Sequence, residues 1–481
     1  MFAPRFRPFL WLLMATLPAC SSWTHHEPAR STLAGVNPLQ QLPAQVSDQP
    51  LPSRWWQLYH DPRLNGLVQQ ALAHNRDLAA AQAHVQALLG GLHEADAQRW
   101  PSTDVQLGAS YGKTADDQTL ARATGSHAPA QWEFNPGLEL AYQVDVWGQV
   151  RQAIEHAQAS AEAAAAAEDQ LRVTVAAQTT RAYVNACALG GRAAVQRQSL
   201  QVLGDSVRLL QRQRRGGVVT DFEVSRMQAL QGQTQALLPM LEARRQAAVF
   251  ELATLTGNSN PDPLSCQQVP RLDADLPVGD GWQWLARRPD IRQARRELQA
   301  AGLQVGITQA DLYPKVSFGA SLTSSSHPLN ELGSSQAVMF GIGPLISWQF
   351  PNRAANRARV EQAKALEQGS LAHFDGQVLL ALQQVRQALA LYDGERQRHA
   401  ALAQALADSQ RAFELAQRNY RAGALDFLDV LDSERELVAL QAQVADADGQ
   451  LLQRQITLFA ALGGGWQRPD TLPATADGTL R

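Results

Sequence analysis

Three aspartates, Asp426, Asp429 and Asp432, stand three residues apart in the stretch GALDFLDVLDSERE, residues 423–436. Carboxylates at this spacing on a helix share one face. Such a row can cap a helix, hold a cation, serve as an acid–base pair, or line a passage. An acid–base pair needs a cleft to exclude water and seat a substrate, and a glycine-bounded helix start in a long helical pattern offers none. Other catalytic signatures are missing as well: the chain has no GxxxxGK phosphate loop, no HExxH and no GxSxG. The three cysteines, Cys20, Cys187 and Cys266, form no CxxC or Cys/His spacing that would hold zinc. The pair His25–His26 lies alone near the N-terminus. Neither an enzyme, a metal site nor a cofactor is expected. A formal net charge of -3 gives no reason to expect nucleic acid as a partner.

The elements that position these aspartates come from an internal duplication. RWPSTDVQLGAS (99–110) matches LYPKVSFGAS (312–321), RGGVVTDFEVSRMQAL (215–230) matches RAGALDFLDVLDSERE (421–436) without a gap, and ELATLTG (251–257) matches LFAALGG (458–464). Each half has one order: helix, strand, variable loop, strand, very long helix, glycine turn, second helix. The first repeat covers 61–257 and the second 283–465, joined by a proline-rich linker, 258–282, and followed by a tail, 466–481. The long helices begin near Gln149 and Asn352 and run about 65–70 residues, or roughly 100 Å at 1.5 Å per residue. In the second, Leu371, Phe374, Val378, Leu382, Val385, Leu389 and Tyr392 follow coiled-coil steps of three and four. Pro239 is expected to kink the helix that follows the first glycine turn.

The strand candidates are 104–112, 137–146, 315–323 and 338–350. Their length and partial alternation suit tilted strands crossing a membrane. Aromatics gather around them, Trp132, Phe134, Tyr142 and Trp147 in one half and Phe340, Trp348 and Phe350 in the other, as membrane–water interfaces favour. A soluble antiparallel sheet is the competing reading. Four strands cannot close a barrel, and open edges are not tolerated in lipid. Closure therefore requires identical copies: two give eight strands and a filled interior, three give twelve and room for a lumen.

The N-terminus MFAPRFRPFLWLLMATLPACSS has two arginines, an apolar run too short to span a bilayer, and a cysteine. It reads as a signal peptide, 1–19. LPAC resembles the bacterial lipobox, which implies lipidation of Cys20 and a lipid-anchored N-terminal segment, 20–60. Ser21 follows where an aspartate would retain such a protein in the inner membrane.

The stretches 54–82 (RWWQLYHDPRLNGLVQQALAHNRDLAAAQ), 287–314 (RRPDIRQARRELQAAGLQVGITQADLYP), 142–151 (YQVDVWGQVR) and the two glycine turns resemble the TolC-like outer-membrane factors of tripartite efflux systems, especially the lipidated NodT-type branch. The resemblance covers essentially the whole mature chain. It implies an α+β membrane protein: a homotrimer whose 12-stranded transmembrane β-barrel, four strands per chain, continues into a 12-helix periplasmic α-barrel. It implies a periplasmic adaptor and an inner-membrane transporter as partners, and export of drugs or small toxic compounds across the outer membrane. An exit duct for type I protein secretion is the alternative within the superfamily, and a coiled-coil lipoprotein bridging envelope layers is a more distant one.

The aspartates then divide. Thr220 and Glu223 have the spacing of a capping box, and the gapless repeat puts Asp426 and Asp429 in the same two positions, so Asp426 is expected to be a cap. Asp432 has Arg226 as its counterpart and no such duty. The resemblance places Asp429 and Asp432 at the narrow periplasmic end of the tunnel, as stacked carboxylate rings that gate it and select cations. An arginine that helps hold that end shut elsewhere in the superfamily is replaced here by Leu425, and Arg226, Glu223, Tyr420 and Arg421 are the candidate latch residues. Gly217 and Gly423 permit positive φ at a sharp reversal. The resemblance adds that Gly217, Val218, Gly423 and Ala424 form the tip that meets the adaptor.

Overall fold

A computed structural model describes residues 46–47, 49, 51–260, 264–266, 268–270, 272, 276–277, 285–348 and 353–464. The chain divides into two compact units. The signal peptide, Cys20, Phe350, most of the linker and the tail lie outside the described residues.

The first unit contains Val85–Ala163 and Ala294–Phe374. Its centre is one antiparallel sheet, in the order β2 (Ser102–Gly112), β3 (Gln131–Val144), β5 (Lys315–Ser324), β6 (Val338–Ser347). Pairing register explains its composition. Val105 faces Leu138, Ala109 faces Phe134 and Tyr111 faces Trp132; across the next two ladders Leu138 faces Leu322, Tyr142 faces Phe318, and Val316 faces Ile346. Directly opposed residues share a face, so these side chains make a single apolar face across all four strands. Asp104, Gln106, Glu139, Gln143, Ser317 and Ser321 alternate onto the other. The apolar face is not a core: Leu107 and Phe340 are each 83% exposed, and every residue of β2 is exposed. Aromatic rings mark both ends of the strands. Trp132 stacks on Phe134 and meets Tyr111 at a tilt at one end, and the Trp147 ring lies 4.7 Å from that of Tyr313 at the other, its indole N–H donating to the Pro314 carbonyl at 2.7 Å.

The strands fall within two or three residues of their expected bounds except at the start of β3, which begins at Gln131 rather than 137. Trp132 and Phe134 therefore belong to the strand itself. The β2–β3 loop also carries an unexpected helix, Ala115–Thr124, whose Thr114 and Asp117 form a capping box.

Naming the helices in chain order, α1 is Pro62–His74, α2 Arg76–Ala97, α3 the loop helix, α4 Gln149–Arg215, α5 Asp221–Leu255, α6 Pro289–Ala310, α7 Arg353–Arg421 and α8 Phe427–Ala461. The Asp145 carboxylate accepts from the Val150 and Arg151 N–H groups at 2.9 and 3.0 Å and so starts α4 directly after β3. No described helix is long and apolar enough to cross a membrane.

The second unit comprises the described residues of Thr32–His84, Ala164–Gln293 and Asp375–Arg481. It is built from the lengths of α4, α5, α7 and α8 within those ranges, with α1 against them. Val378, Leu382, Val385 and Leu389 of the expected seam in α7 are buried. Pro239 does not end the helix: α5 is helical through it, 35 residues without interruption. A missing N–H at that position costs one ladder bond, and the buried residues on either side, Thr234 and Leu241, hold the helix in place. Trp55, Tyr59 and Phe459 form a buried aromatic cluster, with Trp55 and Phe459 rings 5.1 Å apart. A two-residue parallel pair, β1 (Val46–Ser47) with β4 (Leu276–Pro277), lies in the same unit. Cys187 on α4 and Cys266 form a disulfide, their Cα atoms 5.0 Å apart; their pairing spans 79 residues and was not readable from sequence. Gly190, one turn on, lets the Cys266 backbone approach, since a Cβ there would stand 2.3 Å from the Cys266 carbonyl oxygen.

Candidate functional site

The two glycine turns have the same structure. Gly217 and Gly423 both have φ of 75°. The Val218 N–H donates to Gln213 O and the Gly217 N–H to Arg214 O, both at 3.0 Å; the Ala424 N–H donates to Asn419 O at 2.8 Å and the Gly423 N–H to Tyr420 O at 3.0 Å. This is the Schellman closure of α4 and of α7, which satisfies the last carbonyls and reverses the chain. Gly217, Val218, Gly423 and Ala424 are all well exposed, apart from the half-buried edge of the neighbouring Val219.

The helices that follow begin differently. At α5 the Phe222 N–H donates to the Thr220 hydroxyl at 3.3 Å, and the Glu223 carboxylate accepts from the Thr220 N–H at 2.6 Å and from its hydroxyl. The Thr220 hydroxyl and N–H hold the Glu223 carboxyl below its ordinary range. At α8, Asp426 does occupy the N-cap position, but its carboxylate takes no capping bond; only its carbonyl accepts, from the Asp429 N–H at 3.2 Å. The expected cap is therefore not formed. The reciprocal bond from Asp429 back to the Asp426 N–H is missing as well.

On α8 the helical period sorts the acids. Val430, Leu431, Glu434 and Leu437 are buried, while Asp429 and Asp432 share the exposed face. Asp432 has Arg435 at 3.9 Å, an exposed pair one turn away. Such a pair holds little energy, and its i, i+3 spacing was legible. The buried face packs where α4, α5 and α8 meet. Leu203, Val207 and Leu210 of α4 join Val224 and Met227 of α5 and Leu431 of α8, with Val219, Leu230 and Phe427 at the margin. This cluster fixes both helix starts against the end of α4.

The four latch candidates do not converge. Glu223 is committed to its capping box. The Arg226 guanidinium lies over the Phe222 ring, 5.6 Å from its centroid. Arg421 is exposed at the last position of α7. Tyr420 does bridge the two hairpins: its hydroxyl donates to Gln213 Oε1 at 3.2 Å and its ring meets Phe427 at 5.8 Å. Gln213 was missed because nothing in its local sequence distinguishes it.

Glu434 was missed as well. Its side chain is 2% exposed and has the Ser206 hydroxyl of α4 as donor at 3.4 Å. Burial pushes its carboxyl up to about 7, against which the Ser206 bond acts only weakly. The signal was available: Glu434 falls at the seam step after Val430 and Leu431, where an apolar residue belongs.

Among the described residues no group of three or more His, Cys, Asp or Glu side chains is placed to hold a metal ion. The tips and the sheet are therefore the features from which a role must follow. One is a pair of hairpin ends with an exposed acidic face, the other a membrane-type sheet with unclosed edges.

Comparison with known proteins gives the class. The family model described as outer membrane efflux protein matches residues 67–258 and 282–464. The chain is 30% identical over 463 residues to the pyoverdine export outer membrane protein OpmQ of Pseudomonas aeruginosa, covering 94% of this chain and 95% of that one. It is 27% identical over 443 residues to nodulation protein T of Rhizobium leguminosarum bv. trifolii, covering 89% and 93%. The solved structure of the outer-membrane channel OprN superposes with a TM-score of 0.81 at 31% identity, covering 92% of this chain and 98% of that one. The chain belongs to the outer membrane efflux protein family. It is an outer-membrane exit channel for efflux, with the fold of the TolC-like channels.

Proposed function

We propose that three copies of this chain close one channel, which receives small toxic compounds from a periplasmic adaptor and an inner-membrane transporter and releases them outside the cell. The observation that carries the assembly is the sheet. β2 and β6 each have one hydrogen-bonded neighbour among the described residues, so each leaves a row of N–H and C=O groups unpaired. In hydrocarbon each such group costs several kcal/mol. The continuous apolar face fits lipid and the alternating polar face fits water. Pairing β6 of one copy with β2 of the next satisfies both edges, and three copies of four strands make the twelve that leave a lumen.

The tips support the remainder of the reading. Asp429 and Asp432 on an exposed face become two stacked rings of carboxylates if the threefold axis runs past α8. Crowded like charges attract cations and repel each other, so closure of this end has to be held by other groups. The Tyr420–Gln213 bond between hairpins is the best-placed of these. The exposed Schellman turns at Gly217–Val218 and Gly423–Ala424 are the surface offered to the adaptor, and a lipid on Cys20 anchors the chain to the outer membrane.

Planar-bilayer recording tests the gate. Wild-type protein is expected to form cation-selective pores, and Asp429→Ala/Asp432→Ala to lose most of the selectivity while still conducting. Unchanged selectivity in the double variant rejects the carboxylate rings; absence of any conductance in wild type rejects the channel.

A further inference from the structure

A cavity of about 450 Å³ lies within the second unit, between α4, α7 and α8. Among the described residues its lining contains three arginines, Arg181, Arg288 and Arg454, with glutamine and threonine side chains and no carboxylate. The acids nearest in sequence to this wall are already engaged: Glu168 pairs with Arg172 at 2.9 Å and Asp169 with Arg292 at 3.1 Å.

The three arginines are not equivalent. Arg288 is 4% exposed and fully held. It donates to both carboxylate oxygens of Asp290 at 3.0 and 2.6 Å, to Gln384 Oε1 at 2.7 Å and to the Ala461 carbonyl. Its charge is offset by Asp290, and it forms a rigid wall. Arg181 is different. The one hydrogen bond of its guanidinium among the described residues goes to the neutral Thr457 hydroxyl at 3.2 Å, although a guanidinium has five donors. Partial burial pushes it below its ordinary value, and no anion among the described residues counters that. Arg454 has a buried Nε without a hydrogen-bond partner among the described residues. Arg454 and Thr457 are three residues apart on α8 and so share a face. The Arg181–Thr457 bond therefore brings the two uncompensated guanidinium groups to the same wall of the cavity. The Gln453 side chain, donating to the Arg181 carbonyl at 3.2 Å, fixes α4 against α8 at this level.

Two half-buried cations without counter-ions among the described residues, beside a donor-lined space, carry a desolvation cost that an anion would relieve. Guanidinium forks match the oxygens of planar and tetrahedral oxyanions. We propose that this cavity binds a small oxyanion, a carboxylate, sulfate or phosphate group, between Arg181 and Arg454. The site is independent of the gate and of the number of copies in the assembly. The same group can be a free inorganic anion or the charged end of a compound in transit, and size separates these sources.

Full-length protein in detergent is titrated calorimetrically with sodium sulfate and, in a second arm, with citrate, at constant ionic strength. Wild type is expected to take up sulfate saturably at one site per chain. Arg181→Gln and Arg454→Gln are each expected to weaken it about tenfold or more, the loss of a charge-assisted hydrogen bond. Arg454→Lys is expected to recover part of the affinity. Sulfate without citrate assigns the site to inorganic anions, and uptake of both assigns it to the charged group of larger solutes. Circular dichroism and elution volume verify that each variant is folded. Three results overturn the proposal: no saturable heat for either anion in wild type, equal affinity in both folded glutamine variants, or variants that dissociate the assembly while wild type ignores both anions. The last result would mean that a carboxylate of a neighbouring copy fills the cavity.

Discussion

Replacing Glu434 by glutamine separates what burial of an acid does from what packing does. Glu434 is enclosed where α4 and α8 meet, with one neutral donor and no cation among the described residues. Its carboxyl is raised from an ordinary 4.5 to about 7. At 1.36 kcal/mol per unit, this difference amounts to about 3 kcal/mol. The sign follows from proton binding. The folded chain holds the proton more tightly than the unfolded one, so stability falls as pH rises from about 4.5 and the full penalty is present above about 7. The Glu434→Gln side chain has the same shape, carries no charge, and can still accept from Ser206. Hydrogen exchange read by mass spectrometry over 203–210 and 427–437, corrected for intrinsic rates, measures the local opening. Wild type is expected to lose roughly 100-fold in protection between pH 4.5 and pH 8, as about 3 kcal/mol requires. The glutamine variant is expected to be flat, matching wild type at pH 4.5 and exceeding it at pH 8. A wild-type profile without pH dependence, or one that the variant reproduces, refutes the reasoning.

Gly217→Ala and Gly423→Ala place an L-residue at φ of 75° with open space around the new Cβ. Each is expected to cost about 1–2 kcal/mol by backbone strain alone, equally in the two repeats, as read by exchange at the tips; asparagine should recover part. Gly190→Ala drives a Cβ into the Cys266 carbonyl. It is expected to raise labelling of Cys187 and Cys266 by a maleimide, and with loss of the disulfide to lower stability by about 2–4 kcal/mol. Tyr420→Phe removes the bond to Gln213 while keeping the ring on Phe427. It is expected to loosen the hairpin pair by about 0.5–1.5 kcal/mol and to lengthen open events in bilayer recordings.

Much of the fold was legible because the duplication writes each element twice. Strand ends other than the start of β3, the starts of α4 and α7, and both glycine turns came within a few residues, since alternation, helical period and positive-φ glycines are local signals. The apolar face was read only as partial alternation. Register completes it, by setting Leu138 opposite both Val105 and Leu322. What stayed hidden depends on pairs far apart in the chain. Arg181 and Thr457 are 276 residues apart, Tyr420 and Gln213 207, and Ser206 and Glu434 228. The cap expected of Asp426 failed for a different reason: the repeat alignment conserves the position, whereas the capping bond depends on the direction the side chain takes.

Native mass spectrometry of the full-length protein released from detergent tests the central claim most directly. A single sheet with two open edges and a lipid-type face calls for a particle of three chains that survives release from the micelle. A stable single chain, or a closed pair of chains, contradicts it.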